Sequence, residues 1–293
     1  MSERRSIIFC GTPAFAVPSL KALLADKTFD VQLVITQPDR PQGRKMEMTP
    51  SPVKMAALEA NIPVFQPENI NKELENYLKE HDIAAPDFLI VVAYGSILSQ
   101  ATLDLPKVSP INIHGSLLPR WRGASPIEHA VLMGDKQTGV TIQRMVWELD
   151  AGPILAMEAL DIGLRDTALE LREKLAIIGA DLLVNTLHSS LKEEEQPSDG
   201  ITIAPRLTRE DAKTDLATMT AEEIDRRVRA LNPWPSVMVQ IKGEEVKVLD
   251  ASLEPSTASI PLECAKGTTL HLLTIQSAGK KPMGAAEWAR GRK

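Results

Sequence analysis

A chain of 293 residues is longer than one ordinary domain and shorter than three, so two domains with sizeable cores are expected. Its composition, 43% hydrophobic and 25% charged, excludes a disordered or fibrous chain, and a net charge of −6 excludes a broadly basic, nonspecific nucleic-acid binder. No apolar run approaches the roughly 20 residues of a membrane span, and Ile7–Cys10 before Gly11 is too short for a secretory signal core. A cytoplasmic protein working as a monomer, with no membrane partner, is the expectation. Cys10 and Cys264 stand far apart in no metal or redox spacing, which predicts two reduced, packed thiols.

The chain opens as a βα unit. Ser6–Cys10 reads as a short apolar strand stopped by Gly11-Thr12-Pro13, and Pro18–Ala25 has the composition of a helix. G-x-G-x-x-G is absent, so a Rossmann-like topology is supported and a dinucleotide site is not. Val31–Thr36 reads as the second strand. Gln37–Pro52, with four prolines, a glycine and several charges, predicts a long exposed loop in which substrate gripping competes with plain flexibility. Helices are expected over Val53–Asn61 and Asn71–Glu80, and Phe88–Ala93 reads as a strand buried on both faces. This alternation implies a mostly parallel, doubly wound α/β sheet.

Ile111–Gly123 is the most informative stretch. Ile111–His114 reads as a strand that breaks at Gly115 into a loop, with Ser125 as N-cap and Pro126 opening the next helix. Asn112 and His114 stand two apart and leave the same strand face. A polar pair beside a buried sheet is either satisfied locally, as a core histidine is, or used for chemistry. The carboxyl end of such a strand is where open α/β sheets place ligands. Gly139–Met145 and Ile154–Leu160 read as further strands joined by a turn carrying Asp150, followed by a helix over Thr167–Leu191. Glu193–Ser198 is acidic and polar and predicts a solvated linker. From about Arg209 the texture changes to one amphipathic helix, Ala221–Ala230, and short alternating runs at Val237–Ile241, Val246–Ala251 and Thr268–Ile275, which suggest a small β-barrel.

Several chemistries are excluded by spacing. No H-E-x-x-H exists, and the other histidines are scattered, so no metal site is expected. Ser116 has no histidine at elbow spacing, which argues against a serine nucleophile. Arg120 and Arg122 could be solvated loop charges or could meet carboxylates or phosphates. Trp121 and Trp234 are expected to close loops over a core.

N-I-H-G-S-L-L-P-R-W-R-G at Asn112–Gly123, with L-D-A-G-P at Leu149–Pro153, resembles the folate-dependent formyltransferases. F-C-G-T-P at Phe9, T-Q-P-D-R-P at Thr36, P-S-P-V-K at Pro50, V-V-A-Y-G at Val91 and N-P-W-P at Asn232 are similar to the tRNA-directed branch of that family, and the match runs from Ile7 to Met283. The resemblance implies 10-formyltetrahydrofolate as co-substrate, initiator methionyl-tRNA as acceptor and no metal. It implies Asn112, His114 and Asp150 as catalytic residues and Ser116, Leu117, Leu118 and Pro119 as lining of the folate pocket. Arg44, Lys45, Lys280 and Lys281 become the expected tRNA contacts. The expected organisation is a catalytic domain over 1–192, a linker over 193–208 and an OB-like β-barrel over 209–293 that binds tRNA. Charge is distributed accordingly, −7 over 1–208 against +1 over 209–293.

Formyl transfer to an amine passes through a tetrahedral oxyanion, which needs hydrogen-bond donors while the amine loses a proton and the leaving nitrogen gains one. Asn112 and a cationic His114 could donate; Asp150 beside His114 would favour that cation and could take the amine's proton. The same three residues would serve relatives acting on a sugar amine or on glycinamide ribonucleotide, which form the alternative reading. An NAD-dependent dehydrogenase is conceivable on fold alone, without its glycine fingerprint. A noncatalytic RNA-binding module leaves the Asn112/His114/Asp150 set unexplained.

Overall fold

The computed structural model describes residues 4–42 and 46–291 of the chain. The apolar runs form a seven-stranded sheet from Arg5–Gly11 (β1), Phe29–Ile35 (β2), Val64–Phe65 (β3), Phe88–Val92 (β4), Ser109–His114 (β5), Gln137–Arg144 (β6) and Ile154–Asp161 (β7), in the order β7-β6-β5-β4-β1-β2-β3. The pairs β1·β2, β1·β4, β2·β3 and β4·β5 are parallel, whereas β5·β6 is antiparallel. This is the expected α/β architecture with a mixed rather than wholly parallel sheet. β4 is buried at every residue, as an apolar run without alternation requires.

Residues in register share a face, so Cys10, Val91, Asn112 and Gln143 point to one side of the sheet. That side carries a core of Ile8, Leu33, Ile35 and Leu89 packed on Ile70, Leu74 and Leu78 of the helix Ile70–Glu80. On the opposite side the helix Ala168–His188 approaches β5 and β6 so closely that a Cβ on Gly179 would stand 3.1 Å from Ile113 and 3.3 Å from Val140. Cys10 and Cys264 are both free and buried, and burial pushes both thiols up.

Chain packing divides the molecule into two compact units. One comprises residues 1–122, 139–160 and 172–203; the other comprises 123–138, 161–171 and 204–293. Segments that a linear reading gives to the first domain therefore cluster with the C-terminal residues. The helix Pro126–Met133 packs within the second unit, where Arg226 Nε donates to the Leu132 carbonyl at 3.1 Å. Ser125 does occupy the N-cap position, but its hydroxyl makes no cap bond and instead accepts from the Leu207 amide at 3.4 Å.

The second unit also holds the helix Ala221–Leu231, opened by a Thr220/Glu223 capping box, and an antiparallel sheet. Its strands are Val237–Ile241 (β8), Glu244–Ser252 (β9), Ile260–Glu263 (β10), Thr269–Ser277 (β11) and Met283–Gly284 (β12), ordered β8-β9-β11-β10 with β12 on β11. The antiparallel strand content matches expectation; the pairing path among the described residues is open at its ends. β10 lies between the alternating runs at Val246–Ala251 and Thr268–Ile275, where no strand was expected. Trp234 is 54% exposed and closes no core, contrary to expectation.

Asp225 is the electrostatic centre of this unit. Its carboxylate, only 7% exposed, accepts from Arg229 Nε at 2.8 Å and lies 3.3 Å from Arg165 Nη1. Removing it leaves the Arg229 guanidinium, itself 12% exposed, without its carboxylate and holding the neutral Asp166 carbonyl, to which Nη1 donates at 3.0 Å. Asp225→Ala is expected to cost about 3 kcal/mol of stability, read by urea unfolding; a loss below about 1 kcal/mol would mean water replaces the carboxylate.

Candidate active site

Asn112 and His114 lie at the carboxyl end of β5, 9% and 6% exposed. The β6 strand sets Gln143 opposite Asn112 and Thr141 opposite His114. Among the described residues, no hydrogen bond holds the side-chain amide of Asn112, a buried donor left available for a ligand.

His114 is oriented from behind. Its Nε2 stands 2.8 Å from the carbonyl oxygen of Trp121. A carbonyl only accepts, so Nε2 carries a proton and Nδ1 is the nitrogen left for chemistry. Nδ1 faces Asp150 Oδ1 at 3.6 Å, with the carboxylate 10% exposed. Asp150 sits in a turn with φ +51, the left-handed region, where aspartate is tolerated better than most residues. Gln143 Nε2 donates to the same Oδ1 at 3.1 Å, while Gln143 Oε1 is buried without a partner among the described residues. The resemblance and the geometry thus converge on Asn112, His114 and Asp150 as one cluster.

The turn that carries Asp150 is tightly closed. A Cβ on Gly152 would fall inside the contact radius of the Arg144 carbonyl oxygen and 3.0 Å from its carbon, so only glycine fits. Gln196 Nε2 donates to the carbonyls of Asp150 and Gly152, both at 2.8 Å. Gln196 Oε1 accepts from Arg122 Nε at 3.0 Å and Nη2 at 2.8 Å. Arg122 is buried, neither a solvated loop charge nor an exposed phosphate ligand, and also meets Glu148 at 3.6 Å. The stretch read as a solvated linker is exposed but anchored: Glu193 pairs with Arg144 at 2.7 Å, and Glu194 bridges Ile154.

The other expected site residues divide. Ser116 and Leu118 are buried, and the Ser116 hydroxyl donates to the Arg120 carbonyl at 2.6 Å. Thr141 Oγ1 ties this loop to β6 by donating to the Ser116 carbonyl at 2.7 Å and accepting from the Leu118 amide at 3.1 Å. Leu117 and Pro119 are half-buried on the same loop. Trp121 is buried with the Arg120 guanidinium 4.4 Å above its ring, as its core role required. Lys280 and Lys281 are exposed on the turn between β11 and β12. Arg44 and Lys45 lie outside the described residues. Their loop holds a short antiparallel hairpin, Arg40–Gln42 with Glu47–Thr49, where no regular structure was expected.

Gln143, Gln196 and the Trp121 carbonyl were missed in the sequence. For Gln143 a signal existed: with Thr141 it makes the polar face of an alternating strand whose other face carries Val140 and Ile142. Gln196, one amide in an acidic run, carried none.

Residues 4–187 match the formyl transferase family and residues 206–293 match its C-terminal domain. The chain is 42% identical to a methionyl-tRNA formyltransferase of Halorhodospira halophila over 98% of its own length and 96% of that protein's. It is 39% identical to one of Enterococcus faecalis over 97% and 95%. Among solved structures, an N-formyltransferase of Helicobacter canadensis in complex with folinic acid and dTDP-3-aminofucose superposes with TM-score 0.68 at 17% identity, covering 92% of this chain and 99% of that one. HypX of Aquifex aeolicus in complex with tetrahydrofolic acid gives TM-score 0.62 at 13% identity, over 98% of this chain and 47% of that one. At such identities these two likenesses bear on the fold alone.

Proposed function

This chain belongs to the formyl transferase family, and on that premise we propose that it moves the formyl group of 10-formyltetrahydrofolate onto the amino group of initiator methionyl-tRNA, for translation initiation. Identity of 42% and 39% over nearly the whole chain to relatives of that name favours this acceptor. Sugar-directed neighbours share the fold at 17–18% identity and lend less to the alternative of a sugar amine or glycinamide ribonucleotide.

The observation that carries the reading is an unheld amide and an imidazole on one face of β5, with the carboxylate of the Asp150 turn brought 3.6 Å from that imidazole's Nδ1. The acceptor nitrogen attacks the formyl carbon, and charge builds on the formyl oxygen. Asn112 Nδ2 and His114 Nδ1–H donate to that oxygen, each such donor being worth about 3 kcal/mol of barrier. Asp150 takes the proton released by the amine, the bond from carbon to the folate N10 breaks, and that nitrogen receives the same proton from Asp150 as it leaves. Ser116, Leu117, Leu118 and Pro119 form the wall against which the folate rests, with the two half-buried residues presenting surface to it.

Functionally, residues 1–192 carry catalysis, 193–208 connect, and 209–293 hold RNA on an antiparallel, OB-like scaffold. Lys280 and Lys281 grip phosphate there, as do Arg44 and Lys45 from the 37–52 loop. Reversing charge with Lys280→Glu/Lys281→Glu, or with Arg44→Glu, is expected to raise KM for methionyl-tRNA several-fold. Neither change should alter donor binding, because remote contacts bind ground and transition states alike. The wild-type KM should climb with salt; a salt-independent KM would contradict phosphate contact. The reading as a whole is tested by offering the purified protein labelled 10-formyltetrahydrofolate with methionyl-tRNA, free methionine, glycinamide ribonucleotide or a nucleotide-linked amino sugar. Formylation of methionyl-tRNA is the expected outcome, and preferential formylation of a small amine would overturn it.

A further inference from the structure

We propose that Gln196, backed by Arg122, is a positioning residue that sets the catalytic carboxylate against His114; the inference rests on the formyl-transfer reading above. The chemistry of the contacts fixes the orientation of the Gln196 amide. Arginine offers only donors, so the oxygen of Gln196 must face Arg122, at 3.0 Å and 2.8 Å, and the NH₂ must face the carbonyls of Asp150 and Gly152. The amide therefore holds the Asp150 turn on both sides of Ala151, at a residue whose backbone is already in the left-handed region. A turn of that kind persists where its surroundings over-determine it.

The same loop also holds the other half of the pair. Trp121 gives its carbonyl to His114 Nε2, and the next residue, Arg122, orients Gln196. Trp121 and Arg122 are themselves pinned by Thr202, which accepts from the Trp121 amide through its hydroxyl and from the Arg122 amide through its carbonyl, both at 2.9 Å. Two adjacent residues thus set the backs of both His114 and Asp150, and the 3.6 Å between Nδ1 and Oδ1 is the quantity this frame controls. Gln196 does not face the reacting atoms; it acts through the backbone of Asp150.

Gln196→Glu is the sharpest variant, since it keeps the shape and the bonds from Arg122 but cannot donate to either carbonyl. Its kcat for formylation of methionyl-tRNA should fall about 10- to 100-fold, as displacement of a catalytic group by about 1 Å does. KM for methionyl-tRNA and the affinity for folinic acid should change less than threefold. Gln196→Met, isosteric and nonpolar, should behave alike. Arg122→Leu made in the Gln196→Met background should cost little further, because Arg122 works through Gln196. Circular dichroism and thermal melting are followed for each variant. Wild-type kcat in both Gln196 variants overturns the inference, as does unfolding of both, which makes the role architectural. If the wild-type protein formylates no methionyl-tRNA, the functional reading falls and the inference with it; active wild type with insensitive Gln196 sinks the inference alone.

Discussion

Asp150→Asn is expected to lower turnover by roughly three orders of magnitude, within the range that general acid–base groups supply, while leaving fold and donor affinity intact. Asparagine is the informative replacement. Like aspartate it tolerates the left-handed backbone that Asp150 adopts, at φ +51, and its carbonyl oxygen can still accept from Gln143. What it cannot do is take the proton that the attacking amine must lose. Alanine would add backbone strain to the loss of the carboxylate and blur the two. The measurement is steady-state kcat with a folinic acid titration and a melting curve on the same preparation. Turnover within tenfold of wild type would assign proton removal to another group.

Gly152→Ala is expected to cost at least about 100-fold in kcat without touching any reacting atom, since a displacement of about 1 Å at the chemistry has that price. The added methyl would overlap the Arg144 carbonyl oxygen and stand 3.0 Å from its carbon and 3.5 Å from the Val146 nitrogen. All three are backbone atoms, at the end of β6 and in the turn that follows it, so no flexible side chain can give way. The turn must open, and Asp150 moves with it. Overpacking of this kind also destabilises by about 1–3 kcal/mol, which thermal melting separates from the catalytic loss. Near-wild-type kcat with a lowered melting temperature would show that Asp150 is held independently of Gly152.

What the sequence discloses and what it hides follow from the range of the interactions. Alternation along Ile111–His114 places Asn112 and His114 on one face because strand geometry is local, and an uninterrupted apolar run at Phe88–Val92 marks a strand buried on both sides for the same reason. Asp150 is found through the resemblance of its L-D-A-G turn, not through spacing. The partners that orient these residues are another matter. Trp121 contributes a backbone carbonyl, which every residue possesses, and so leaves no mark in the sequence. Gln196 reaches Asp150 across 46 positions from an acidic run whose composition reads as solvated. Likewise, helix Pro126–Met133 has the periodicity of any surface helix, and nothing in it announces that it packs with residues near Arg226. In the 37–52 loop, Pro41 lies in one strand of a two-stranded hairpin, an edge position where proline is tolerated, so proline content alone misread the segment as irregular.

In the proposed mechanism the buried amide of Asn112 and the Nδ1 proton of His114 meet the oxyanion. Single-turnover formylation of methionyl-tRNA by Asn112→Ala, with enzyme and 10-formyltetrahydrofolate in excess, tests it most directly because product release drops out of the rate. The expected result is a rate reduced by about 100- to 1,000-fold, with folinic acid binding within threefold of wild type. A single-turnover rate near that of the wild type, with donor binding intact, would contradict that mechanism.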